Sequence, residues 1–239
     1  MGTIVEYDAA EGREVASGVS VAALIDRQST EMHATLIRIA PGARHAGTVP
    51  PGSDQYLFVI AGDLRVEAAG QSAPMGRETF AIVEEGTGFT LTGGGAAAKV
   101  LSVVVPPPGA NRAAPGFRGG VKVMAVRDLP VVDIPEEKKQ RTYLASHASV
   151  GSERGHAMIV RYTGETVTRK HHHPNAESMF VMLDGYIRFL VNGKDERLGP
   201  GQAVHFPMHD KHGLRSADGS ALHFLEFHIP GAFVTRYDD

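Results

Sequence analysis

The chain matches itself at an offset of 123 residues, and this repeat restricts the folds open to it more than any other feature. Ala34–Ile39 (ATLIRI) lies over Ala157–Tyr162 (AMIVRY), and Asp54–Gly62 (DQYLFVIAG) lies over Glu177–Gly185 (ESMFVMLDG). Gly62, Gly70 and Gly76 fall on Gly185, Gly193 and Gly199, and Arg65 falls on Arg188. The matched blocks are short apolar runs ended by glycine, which is the pattern of strands and tight turns. Glycine recurs at such turns because they need positive φ. With 28 glycines, 14 prolines and few helical patterns, the chain reads as all-β. A repeated sheet that closes on itself hides its edges and leaves a mouth for a small ligand. Two tandem barrels are expected, residues 1–110 and 111–239. Between them runs the Pro/Gly-rich stretch Val105–Pro115, which cannot hold a central strand.

Strands are predicted near 19–25, 32–40, 55–61, 63–69, 79–83, 88–92 and 98–105. In the second copy they are predicted near 142–148, 155–162, 166–172, 177–183, 186–191, 203–206, 212–215 and 221–229. The charged segment from Ile134 to Arg141 reads as a loop or a short helical turn. Apolar residues make up 42% of the chain, enough for a proper core, and 24 basic residues balance 27 acidic ones. That balance argues against a nucleic-acid or anionic membrane partner. No apolar run reaches roughly 18 residues, so no transmembrane helix is expected. Cysteine is absent, which excludes disulfides and thiolate catalysis. With no basic-then-apolar opening at Met1–Glu6, a cytoplasmic protein is expected.

The second copy carries His171-His172-His173-Pro174-Asn175-Ala176-Glu177, followed later by His205, Pro207, His209 and His212. Alternation along a strand puts His171 and His173 on one face and His172 on the other. Glu177 lies past a Pro-Asn turn, and His212 comes from a later strand. Three imidazoles and a carboxylate at this spacing can meet around one divalent ion, and they suit Mn, Fe, Ni, Co or Zn. A solvated histidine-rich loop is the plain alternative. At the same offset these four residues fall on Thr48, Pro50, Asp54 and Phe89. Proline and phenylalanine cannot ligate a metal, so the first barrel is expected without one, His33 and His45 being the alternative donors there.

These residues resemble the cupin family. Gly164, His171, His173, Glu177 and Gly185 follow its first motif, G-x5-6-HxH-x3-4-E-x6-G. Gly201, Pro207 and His212 follow its second, G-x5-P-x-G-x2-H-x3-N. Seven residues rather than six separate Glu177 from Gly185, so Ser178 stands where many cupins place the glutamate. A one-residue shift reverses the face a strand residue presents, and a bulge at Ala176–Ser178 would restore it. His209 replaces the second-motif glycine, as a further imidazole or as a loop residue, and Ser216 replaces the asparagine. The resemblance implies two double-stranded β-helix (jelly-roll) barrels, a bicupin. Over nearly its whole length the chain is also similar to the bicupin (S)-ureidoglycine aminohydrolases. That likeness implies one manganese ion in the second barrel and replacement of the amine of ureidoglycine by water, with release of ammonia. The ligand pattern of that family, Glu-x-His-x3-His with a later Gln, differs from His171, His173, Glu177 and His212.

Four protein ligands would leave one or two positions open for water, O2 or a chelating substrate. Arg161 and Arg188, on strands flanking the ligand segment, are candidates to hold a substrate carboxylate. Their counterparts Arg38 and Arg65 in the first copy favour a structural role equally. Glu226 and His228 share a face of the last strand and are the candidate acid–base groups, or else surface polars. Met179, Val181 and Leu183 share a face with Glu177 and are expected to line the pocket or to pack the core. Three readings stay open: a metal-dependent hydrolase or lyase on a small carboxylated metabolite, an Fe, Mn or Ni oxygenase or oxidase, and a non-catalytic binding barrel. The similarity to quercetin dioxygenase, oxalate oxidase and germin-like cupins implies the second. Bicupins are often homo-oligomers, and a small molecule is the expected partner.

Overall fold

The computed structural model describes residues 1–110 and 113–237, so Asn111 and Arg112 of the proline-rich connection lie outside the described residues. The fold is nearly all β. Strands lie where apolar runs place them: Val19–Ile25, His33–Ile39, Asp54–Ala61, Asp63–Ala68, Thr79–Val83, Gly88–Gly93 and Ala98–Val105. In the second copy they are His156–Tyr162, Glu177–Asp184, Ile187–Val191, Gln202–Phe206, Leu214–Ser216 and Leu222–Ile229. Apolar patterning does not reveal Arg44–Thr48, Gln71–Gly76 and Lys194–Leu198, which carry small, polar or charged residues on exposed positions. Among the described residues no helix is long and apolar enough to cross a membrane.

The chain divides into two compact units that are not simple halves. One is Ala10–Leu129 with Ala145–Arg154; the other is Met1–Ala9, Pro130–Leu144 and Gly155–Asp239. The division therefore differs from a cut at 110/111. Val121–Ala125 pairs with Thr79–Val83 and stays with the N-terminal unit. Thr3–Glu6 pairs with Gln202–Phe206 and belongs to the C-terminal one. Proline-rich composition marks where no central strand can run, but it does not mark where the chain changes partners.

In the N-terminal unit a seven-stranded sheet runs Val121–Ala125, Thr79–Val83, Asp54–Ala61, Ala98–Val105, His33–Ile39, Val19–Ile25, Arg13–Ala16. A four-stranded sheet runs Arg44–Thr48, Gly88–Gly93, Asp63–Ala68, Gln71–Gly76. Its buried cluster is apolar throughout and includes Leu57, Val59, Leu64, Leu91 and Phe89. In the C-terminal unit the seven strands run Thr3–Glu6, Gln202–Phe206, Glu177–Asp184, Leu222–Ile229, His156–Tyr162, Lys139–Ala145, Val132–Ile134. A three-stranded sheet, Lys194–Leu198, Ile187–Val191 and Leu214–Ser216, and the pair His171–His172 with Arg236–Tyr237 complete it. Equivalent strands take equivalent places in the two large sheets. The repeated glycines have a shared cause: Gly62 and Gly185 both have positive φ. A Cβ on Gly62 would lie 2.0 Å from the Ala97 carbonyl oxygen, and one on Gly185 would lie 2.7 Å from that of Ala221.

The N-terminal unit fills the place of Glu177 with Asp54, a fully buried carboxylate. Asp54 accepts hydrogen bonds from Ser152 Oγ, from Arg154 Nη1 at 3.0 Å and from the Phe117 amide at 3.1 Å. Arg154 also reaches Glu85 at 3.0 Å, and Glu85 meets Arg118 at 2.6 Å. Removing one partner of a buried pair strands the other. Arg154→Ala should therefore cost about 3–5 kcal/mol in urea unfolding; a loss below about 1 kcal/mol would show the network to be idle. Glu85 is held down at about 2, first by the Arg118 hydrogen bond and next by the Gly52 amide. A depressed folded pKa gives stability that is complete above the ordinary value of 4.5 and is lost as pH falls through about 2. Unfolding measured across that window should lose this component in Glu85→Gln.

Candidate metal centre

All of the site lies within the C-terminal unit. His171 and His212 face each other in an antiparallel bridge, each backbone N–H donating to the other's carbonyl at 2.9 Å. Directly paired residues carry their side chains alongside one another, and these two rings lie 4.5 Å apart. His173 sits on the same face as His171, its ring 5.3 Å from each of the other two. The candidate ligand atoms of His171, His173 and His212 all fall within 4.8 Å of one another.

Backbone carbonyls set the tautomer of each ring. His171 Nδ1 donates to the Arg169 carbonyl at 2.9 Å, His173 Nδ1 to that of Val234 at 3.0 Å, and His212 Nδ1 to that of Asp210 at 3.0 Å. A carbonyl only accepts, so the proton is on Nδ1 and the lone pair is on Nε2. The Nε2 atoms of His173 and His212 are buried and have no hydrogen-bond partner. Burial, then neighbouring His228, pushes His173 down to about 4; burial, then His171, pushes His212 down to about 3. Neutral, oriented imidazoles with lone pairs facing one another fit a divalent ion. The segment after Pro230 braces them. The Asn175 side chain donates to the Ala232 carbonyl and accepts from the Val234 amide, both at 2.8 Å. Arg236–Tyr237 then pairs with His171–His172.

Glu177 is not brought to this group. The register runs without a bulge from Glu177↔Ile229 and Ser178↔His228 to Met182↔Phe224, so alternation puts Glu177 on the opposite face. There its carboxylate accepts from His205 Nε2 at 2.8 Å, in a buried pair. Ser178 takes the inward position and hydrogen-bonds His228 Nδ1 at 2.9 Å. Met179, Val181 and Leu183 follow Glu177 away from the cavity, and Phe180 lines it instead. His209 is no ligand: it has a φ of 65°, the left-handed conformation that suits the motif's glycine, and its ring lies 6.2 Å from His172.

A cavity of about 740 Å³ opens onto the triad. Glu226 and His228 both line it, so the inward reading of their shared face holds. His228 Nε2 donates to Glu226 Oε1 at 2.8 Å, and Phe233 stacks on the His228 ring at 3.9 Å. Burial raises the Glu226 pKa, but the His228 hydrogen bond and the charges of His228 and Arg141 outweigh it and hold the group below the usual carboxylate value. Arg161 and Arg188 do not line the cavity. They alternate with the inward residues Val160, Tyr162, Ile187 and Phe189, and Arg188 pairs with Asp195 at 3.6 Å. Arg141 and Arg169 are the cavity's arginines. Sequence reasoning also missed His156, although it shares the inward face through its pairing with His228. Nothing in the sequence signals Phe233.

Two substitutions separate ligands from supports. Asn175→Ala should weaken metal affinity about 10–100-fold, because the His173 carbonyl partner loses its anchor. Glu177→Gln should keep the metal stoichiometry of the parent and lower only thermal stability. Metal lost from the Glu177 variant, measured by elemental analysis, would return that residue to the coordination sphere.

Residues 158–228 match the Cupin domain family. No curated protein matches the chain. Three of the solved structures that share its fold illustrate the likeness. The Lactobacillus farciminis oxalate decarboxylase formate complex has a TM-score of 0.75 at 14% identity, over 98% of this chain and 88% of that one. Protein Ylba from E. coli has a TM-score of 0.76 at 11% identity, over 98% and 92%. The putative glyoxylate induced protein from Pseudomonas aeruginosa has a TM-score of 0.73 at 15% identity, over 93% and 83%. At such identities the likeness is one of fold. The chain thus has a cupin fold, and residues 158–228, the segment that contains the histidine triad, match the Cupin domain family.

Proposed function

We propose that the C-terminal barrel is the active centre of a metal-dependent enzyme acting on a small carboxylated metabolite. The observation that carries this reading is the triad: three Nδ1 atoms committed to backbone carbonyls, with the Nε2 atoms turned toward one another. His171, His173 and His212 would hold the ion. Manganese is the first candidate, since the similar Bacillus subtilis oxalate decarboxylase is described with Mn(II) centres; Fe, Ni, Co and Zn also suit imidazole. When bound, the ion supplies Lewis acidity toward a carboxylate or carbonyl and lowers the pKa of water.

Glu226 is the catalytic base in this reading. Its carboxylate is kept ionised beside the triad, and His228 positions it through one hydrogen bond while Ser178 and Phe233 fix the His228 ring. In a hydrolysis of the ureidoglycine type, Glu226 takes a proton from a water attacking the carbon that bears the amine. The C–N bond breaks, its electron pair leaves on nitrogen, and the proton is delivered there. The products are the hydroxy compound and ammonia. The all-imidazole donor set favours one second reading, an O2-dependent reaction with Fe or Mn.

Elemental analysis of the purified protein beside His171→Ala and His212→Ala tests the centre. About one equivalent of metal, lost in both variants, is expected. Ammonia release under anaerobic conditions supports the hydrolase, and O2 uptake supports the second reading. Glu226→Gln should retain metal and lower kcat about 10²–10⁴-fold. A parent protein that takes up no offered metal, or a Glu226 variant of full activity, would sink the proposal.

A further inference from the structure

The cavity is longer than a carboxylated metabolite of two to four carbons needs, and its two ends differ in character. His156, Met158, Val160 and Tyr162 all line it from alternate positions of one strand. At about 3.4 Å per residue that wall extends about 20 Å. The neighbouring strand of the same sheet gives the composition of each level: His156 pairs with His228, Met158 with Glu226, and Val160 with Phe224. One end is therefore imidazole and the middle holds a carboxylate, with Arg141 acting on it electrostatically. From the Glu226 level onward one stretch of wall is apolar: Met158, Val160, Phe224 and Leu214 are all buried and all line the same cavity, whose lining also includes the polar Glu137, Lys139, Glu165, Thr168 and Arg169. A volume of about 740 Å³ falls in the range of about 300–1,000 Å³ that encloses a ligand of drug size. A protein interior is close-packed, so a cavity this size with an apolar arm is shaped for an occupant.

We propose that this arm is a substrate subsite and that the ligand is elongated and amphipathic, with a chelating carboxylated head at the triad and an aromatic or medium-length aliphatic body against Met158, Val160, Phe224 and Leu214. The head rests on the metal-centre reading; the body rests on the cavity alone. The arm selects by burying apolar surface, so affinity rises with the length of the body.

Pyruvate, phenylpyruvate and 2-oxooctanoate share one head and differ in body. Calorimetric titration of each into manganese-loaded and chelator-treated protein tests the subsite. The two larger acids should bind at least about tenfold tighter than pyruvate to loaded protein, and the same order should persist, more weakly, without metal. Val160→Phe should fill the arm and erase the difference while leaving manganese content and pyruvate affinity in place. Leu214→Phe serves the same purpose from the opposite wall if Val160→Phe unfolds. Equal affinities across the series, no binding by any member, or a preference that survives both fillings would overturn the subsite. Protein that takes up no manganese yet still ranks the acids would overturn the metal reading and leave the arm standing. Protein that takes up manganese without ranking them would do the reverse.

Discussion

Antiparallel register governs this site. Three strands, His156–Tyr162, Leu222–Ile229 and Glu177–Asp184, lie side by side with His156, His228 and Ser178 level with one another. Side chains alternate, so a residue shares the cavity only if its parity matches that level. Glu226 and Met158 qualify, as do Phe180 and Phe224, whereas Glu177 and Arg161 are one residue out. The chemistry available to the cavity is a list chosen by parity, and no local propensity could change it without moving the whole ladder.

Much of this was legible from sequence. The repeat, the glycine spacing and the apolar runs located most strands, because each is a local consequence of turn geometry or burial. The His171, His173 and His212 set was legible for the same reason: HxH on a strand fixes its own face, and the bridge partner follows from the second motif. Glu177 was not, because choosing between a bulge and a regular register depends on pairing with Leu222–Ile229, some 50 residues away. Arg161 and Arg188 were plausible by charge and proximity, yet alternation turns both outward. Arg141, His156 and Phe233 come together only through sheet order and the bracing segment after Pro230, which no short motif encodes.

The two units show how little separates a possible metal centre from a packed core. Phe89 takes the place of His212 and lies in an apolar cluster with Leu57 and Leu91. Asp54 takes the place of Glu177, and both are buried carboxylates turned to a structural partner, Arg154 in one unit and His205 in the other. An acidic residue at the head of this strand is therefore a device of the scaffold in both units. What the C-terminal unit adds is three imidazoles whose rings are held by backbone carbonyls.

The pairing of Thr3–Glu6 with Gln202–Phe206 has a consequence for how the barrel is completed. Thr3 lies opposite His205, so this edge strand pairs with a neighbour very distant in sequence. Closure entropy rises only with the logarithm of loop length, so the cost to stability is small. The effect on rate is larger, because non-local pairings form slowly. The remaining six strands of that sheet derive from residues 132–229 and can assemble among themselves. The edge strand is then expected to dock last on a ready-made template, much as a separate peptide would, with its tether setting the local concentration at which it does so.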